Sequence, residues 1–254
     1  MPQLPAYLEP FNLASYVIVL GTILGGMWFV VGQAELTNAG RAKTRWTLAI
    51  VLLAWFSVAY SLGVRGVLQA TPETLNLAIA FAIILPIVIA LPLLIGSSVI
   101  AKVIDATPLS WLVGVQVYRV FGGIFLVLWS SHLLPGQFAL PAGTGDVLTG
   151  VLAIPLARLV ASRASEARGL AYAWNVFGIL DLVVAVTMGF LTSPGRLQLL
   201  AHDEPNYLIT AYPLVLIPAF FVPLSIILHG LSLWKLRQES QRTLAQKTAS
   251  AAIA

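Results

Sequence analysis

Apolar residues fall in seven stretches along the chain, at 14–33, 45–64, 75–97, 109–134, 146–161, 170–192 and 207–234. The fifth is the shortest. A helix needs ~20 apolar residues to cross a hydrocarbon core of ~30 Å, because backbone N–H and C=O groups left unpaired in lipid are too costly. The pattern therefore predicts an all-α polytopic membrane bundle of about seven transmembrane helices. It places residues 1–234 in one membrane domain and leaves 235–254 as a polar, basic cytoplasmic tail that starts as helix and then frays.

Polar gaps between the stretches set the orientation. With the N-terminus outside, the cytoplasmic gaps hold Arg41, Lys43, Arg45, Lys102, Arg158, Arg163, Arg168, Lys235, Arg237, Arg242 and Lys247. The outer gaps hold only Arg65 and Arg196, and Arg119 lies within a span. Short cytoplasmic loops collect Lys and Arg, so this asymmetry predicts an external N-terminus and a cytoplasmic C-terminus. An even helix count would destroy it. Trp28, Trp46, Trp111, Trp129 and Trp234 stand near stretch ends, where an amphipathic ring can sit at the headgroups.

Composition changes the picture by exclusion. Of 254 residues, 59% are hydrophobic and 9% charged, far from the ~25% charged of a soluble domain. The net charge of +4 resides in the gaps, as topology requires, and nucleic acid is not expected as a partner. The absence of cysteine excludes disulfides, thiolate metal sites, covalently attached haem and cysteine nucleophiles. The opening MPQLPAYLEPFNLAS lacks a basic region and carries Glu9, and so reads as a short external tail before an uncleaved helix. A bacterial cytoplasmic membrane is the expected location of this multi-pass chain, given its short loops and lack of an organelle signal.

Prolines 86 and 92 in the third stretch, and Pro213, Pro218 and Pro223 in the seventh, remove backbone donors and predict bent or broken helices. Broken helices can line a binding cavity. Gly21, Gly25 and Gly26, and the strip Asp146, Gly150, Ala153 and Ala157, predict close helix packing.

Two ionisable residues stand out. Arg119 and Asp181 both fall near the membrane midplane of the fourth and sixth stretches, and a lone charge there costs at least ~2.5–3.5 kcal/mol. Pairing lowers that cost, so the two are expected within salt-bridge or single-water distance. Gln116, Arg119, Gly123 and Ser130 follow one side of their helix, while Asn175, Gly178 and Asp181 share an arc of theirs. A ligand-binding or ion-coupling site of Arg119, Asp181, Asn175, Gln116 and Tyr118 is the result, equally readable as a pair that only fixes helix packing.

A second cluster is expected at the outer mouth. His132 ends the fourth helix there, and Asp146 follows the turn-rich PGQFALPAGTGD as the N-cap of the fifth. With His202, Asp203 and Glu204 this set resembles no metal signature, and no metal or cofactor is expected. His229 is placed at the cytoplasmic end of the seventh helix, a bilayer away from His132, so the two cannot share a haem. Microbial rhodopsins also have seven helices but need a lysine within the seventh, where this chain has none before Lys235; the HxxxH of membrane ceramidases is also missing.

The reading favoured is a small-molecule carrier, or a carrier component, with a midplane polar site for a small polar or anionic ligand in contact with the lipid bilayer. Two alternatives stay open: an embedded acid/base or metal-assisted hydrolase at the outer face, and a non-catalytic assembly subunit docking through its basic tail. Association with further copies of the chain is compatible with either.

Overall fold

The computed structural model describes residues 5–73, 75–162, 164 and 166–253. Residues 1–4, ahead of the first helix, and Arg163 lie outside the described residues. Among the described residues there are eight helices, seven of them long and apolar enough to cross a membrane. These are α1 (Leu8–Gln33), α2 (Asn38–Val64), α3 (Leu77–Ile95), α5 (Leu109–Ser130), α6 (Gly136–Ala161), α7 (Ala167–Thr192) and α8 (Ile217–Arg242). Between α3 and α5 lies the short α4 (Ser98–Ala106). The chain thus has the architecture of a multi-pass membrane protein.

Side-chain ties fix which helix ends share a face. On the face that holds the start of α1, Tyr212 donates to Glu9, Asn76 Nδ2 donates to Pro194 O at 3.0 Å, and Thr210 Oγ1 accepts from Ala70 N at 3.0 Å. On the opposite face, Lys235 Nζ donates to the carbonyls of Ile104 and Asp105, and Arg242 pairs with Asp105 at 2.8 Å. A lysine over the last carbonyls of α4 satisfies groups that a helix end leaves unpaired. The basic residues that open the tail thereby clasp α8 to α4. The helix runs through residue 234 without a break and continues to Ile253.

Burial ranks the spans. In α8, 61% of the apolar window is buried and in α5 44%, against 11% in α3, so α8 and α5 form the axis and α3 sits at the periphery. The main core gathers Tyr16, Val19 and Ile23 of α1, Leu52 and Ala59 of α2, Val215 and Leu216 just before α8, and Ala219 to Val222 in its first turns.

Several boundaries differ from the sequence expectation, each for a backbone reason. α6 starts at Gly136 rather than 146, because PGQFALPAGTGD is helix despite its prolines and glycines. Spanning helices tolerate such residues where neighbouring groups and local adjustment re-satisfy the freed backbone. α8 starts at Ile217 rather than 207, after a loop that contains Pro213 and the cis Tyr212–Pro213 bond, so Pro213 is not a kink within the span. Its first turn, Ile217–Phe221, is π-wound, with Pro218 inside it and Pro223 two residues beyond. α4, read as a polar gap, is a helix capped by Ser97, whose Oγ accepts from Ile100 N at 3.3 Å.

In α5, Val115–Gly123 is wound as a 3₁₀ helix. At three residues per turn, every third side chain eclipses the one before. Gln116, Arg119 and Gly122 form a single buried row, where an α-helix would have brought Gly123 into line.

The glycine strip of α6 meets that segment closely. A Cβ at Gly150 would stand 2.7 Å from Val120 N and 3.0 Å from Val117 O, both backbone, whereas Gly21 and Gly25 of α1 have nothing within 4 Å. Gly150→Leu is therefore expected to destabilise the protein by about 1–3 kcal/mol. Gly21→Leu should leave the melting temperature in detergent unchanged. Equal melting of the two variants would contradict this packing.

Candidate functional site

Arg119 reaches the centre of the bundle from α5 and is 3% exposed. Asp146 on α6 and Asp181 on α7 each lie roughly ten residues from the face that holds the start of α1, as does Arg119. At 1.5 Å per residue that is a depth of roughly 15 Å, near mid-bilayer. His229 of α8 is about twelve residues in and fully buried.

These four side chains form one network. Arg119 Nε donates to Asp146 Oδ1 at 2.7 Å, and Nη2 reaches the same oxygen at 2.7 Å. Nη2 also pairs with Asp181 Oδ2. Nη1 donates to Gly178 O at 3.1 Å and lies 3.4 Å from His229 Nε2. A guanidinium has five N–H bonds, and each of them has an acceptor here.

Donor bookkeeping fixes the tautomer of His229. Asn175 Nδ2 gives its two hydrogens to Ala171 O at 2.7 Å and Ser232 Oγ at 3.0 Å, which leaves Oδ1 to accept from His229 Nδ1 at 2.9 Å. Arg119 can only donate, so Nε2 must accept. The imidazole is therefore neutral with its proton on Nδ1, and the Trp174 ring lies 5.0 Å from it. Two carboxylates face one guanidinium, and with both ionised the cluster carries a surplus of one negative charge.

Three glycines make the space. A Cβ at Gly122 would strike Asp146, one at Gly145 would strike Asp181, and one at Gly178 would meet the His229 ring, with Arg119 Nη1 at 3.2 Å. Each of α5, α6 and α7 thus supplies a charged residue and, near it, a glycine that admits a group from another helix.

A cavity of about 50 Å³ adjoins the cluster. It runs along α1 from Phe11 and Asn12 near one face to Val19 at mid-depth, and ends on Tyr118, Arg119, Gly122 and Asp146. Tyr118 OH lies 2.5 Å from Ser225 Oγ, which also lines it. Asp146 Oδ1 is occupied by Arg119, while Oδ2 has no hydrogen-bond partner among the described residues.

Of the residues nominated from sequence, Arg119 and Asp181 meet directly, and Tyr118 stands beside Arg119 on the cavity wall. Asn175 braces His229 from behind. Gln116 is buried, donating to Ser225 O at 3.1 Å, and its Oε1 is unpartnered among the described residues. Asp146 is a correction: it does not cap α6 at the outer mouth but lies ten residues inside that helix, because the helix begins at Gly136. His132 is exposed in the loop after α5, as are His202, Asp203 and Glu204 in theirs, and Asp146 is not beside them at the helix start. Among the described residues no group of three or more His, Asp and Glu could hold a metal ion. His229 is the second correction. The seventh helix starts ten residues later than its apolar run, which brings His229 from the end of the span to its middle.

Removing one partner from a buried ion cluster leaves an uncompensated charge, at a cost of about 3–5 kcal/mol. Arg119→Met, which strands two carboxylates, is expected to cost that much or to abolish folding. Asp181→Asn should cost less, since Asp146 still holds Arg119 through two donors. Melting in detergent orders the two; a more stable Arg119→Met variant would refute the pairing scheme.

No curated protein matches this chain, and no solved structure does. A family model described as a domain of unknown function, DUF8737, matches residues 74–237, which hold Arg119, Asp146, Asp181 and His229. With about two-thirds of its length matched, and the whole charged cluster inside the match, the chain belongs to the DUF8737 family.

Proposed function

We propose that the protein is a small-molecule carrier, or the ligand-binding component of one, in the bacterial cytoplasmic membrane, with its N-terminus outside. The observation that supports this reading is the cavity that descends from the N-terminal face to Asp146 and Arg119 at mid-depth. A purely structural ion pair needs no such space, and packed interiors close voids larger than water. Carriers place their sites at the midplane, where either side can be given access. The bias of Lys and Arg toward the opposite face supports the orientation.

In this reading Asp146 is the carboxylate that meets the ligand, and Asp181 is the coupled group behind it. Arg119 bridges them. It is not the anchor of an anionic substrate, because its donors are all engaged within the protein. Loading Asp146 would weaken its hold on the guanidinium and shift Arg119 toward Asp181, which links occupancy of the cavity to the packing of α6 against α7.

The natural lack of cysteine makes access testable. Ser15→Cys, on the cavity wall, is expected to react with a small membrane-impermeant thiol reagent added outside intact cells, and Gly169→Cys, at the other face, only after permeabilisation. The reverse pattern would refute the orientation. No reaction at Ser15→Cys from either side would refute access to the site. In proteoliposomes assayed for counterflow of small polar solutes, Asp181→Asn should fall to the level of empty vesicles while it still melts cooperatively. Full flux in that variant would remove Asp181 from the mechanism.

A further inference from the structure

The walls of the cavity restrict what can occupy it. Phe11, Tyr16, Tyr118, Phe121 and Phe221 supply aromatic rings, with Tyr16 and Phe221 stacked at 4.9 Å and 23°, and Tyr118 6.3 Å from Phe221. At its inner end stands the free Oδ2 of Asp146. Ser15 Oγ, whose proton goes to Phe11 O at 2.8 Å, turns lone pairs rather than a donor to the space. Aromatic faces carry negative potential and attract cations. Every charged or aromatic feature of the lining except the saturated Arg119 therefore favours positive charge.

Resting on the carrier reading above, we propose that the ligand is a small primary alkylammonium ion. Its ammonium group donates to Asp146 Oδ2, with further bonds open to Ser15 Oγ and the Tyr118–Ser225 pair, and its short alkyl part lies against Tyr16 and Phe221. One bound monocation cancels the surplus negative charge of the Arg119–Asp146–Asp181 cluster. An anion would meet a free carboxylate and no free donor of Arg119. A divalent metal would find too few ligands, because hard cations take six or more oxygens and no acidic group of three is assembled among the described residues. The size agrees: a cavity of about 50 Å³ takes a few water-sized centres at roughly 10–15 Å³ each, the bulk of methylammonium or ethylammonium rather than a sugar.

The test is calorimetric titration of the full chain in detergent with methylammonium chloride, sodium chloride and sodium acetate at matched ionic strength. Methylammonium should bind saturably, sodium and acetate should not, and Asp146→Asn should abolish the signal. Phe221→Leu keeps every charge and guards against an Asp146 variant that fails to fold; it should weaken methylammonium roughly 3–30-fold. Absence of methylammonium binding in the wild type overturns the proposal, as does binding that both variants leave unchanged. Saturable acetate binding that disappears in Asp181→Asn would overturn the cation while leaving the midplane carrier site intact. Absence of counterflow of any small polar solute by the wild-type protein, by contrast, would remove the carrier reading itself.

Discussion

A guanidinium held halfway along the apolar spans between two carboxylates is the constraint on which this bundle depends. Its desolvation is affordable only because five N–H bonds find acceptors on three other helices: two carboxylates, the carbonyl of Gly178 and the neutral ring of His229. That requirement decides the local backbone. The 3₁₀ winding of Val115–Gly123 brings Gln116, Arg119 and Gly122 into one row. The glycines at 122, 145 and 178 then let a neighbouring charged or polar group occupy the space a side chain would fill. Hydrocarbon offers no competing hydrogen bonds, so register errors between α5, α6, α7 and α8 would leave a bare charge, and the network selects one packing.

Much of the architecture was legible because lipid imposes a length and a polarity on every span. All seven spans follow from apolar runs, and the nomination of Arg119 with Asp181 follows from matched depth alone. What was not legible depended on helix starts. The proline- and glycine-rich PGQFALPAGTGD carries every mark of a turn in water, yet it supplies the N-cap Pro135 and the first eleven residues of the spanning helix α6. That error moved Asp146 to the surface. At α8 the apolar run begins before the helix, because residues 207–216 are apolar but are organised as loop and short turns around Pro213. That error moved His229 toward the membrane boundary.

A signal for Asp146 did exist. An aspartate ten residues after a helix-compatible start, spaced three or four residues from Gly150 and Thr149 on a small-residue strip, faces a neighbouring helix rather than a loop. Counting charges gives the same hint, since Arg119 with one carboxylate is already neutral and a second carboxylate at equal depth requires a purpose. Structural pairing is complete with Asp181 or Asp146 alone. The second carboxylate creates a surplus that a proton or a bound cation can remove, and the cavity lies on the side of Asp146, not of Asp181.

The family match divides the molecule along the same line. Residues 74–237 contain every member of the charged network, so charge compensation is complete within α3 to α8. The α1 wall, with Phe11, Asn12, Ser15 and Tyr16, lies outside the matched segment and contributes no charge to the cluster. Tyr16 nevertheless ties this wall to the core, donating toward Pro213 O at 2.8 Å and stacking on Phe221. Substitutions in α1 can therefore alter the shape and polarity of the cavity without exposing a buried ion, whereas substitutions at Arg119 cannot. A bundle built this way keeps its costly electrostatics within α5 to α8 while α1 supplies part of the cavity wall, so that wall can change while the fold that buries the cluster stays the same.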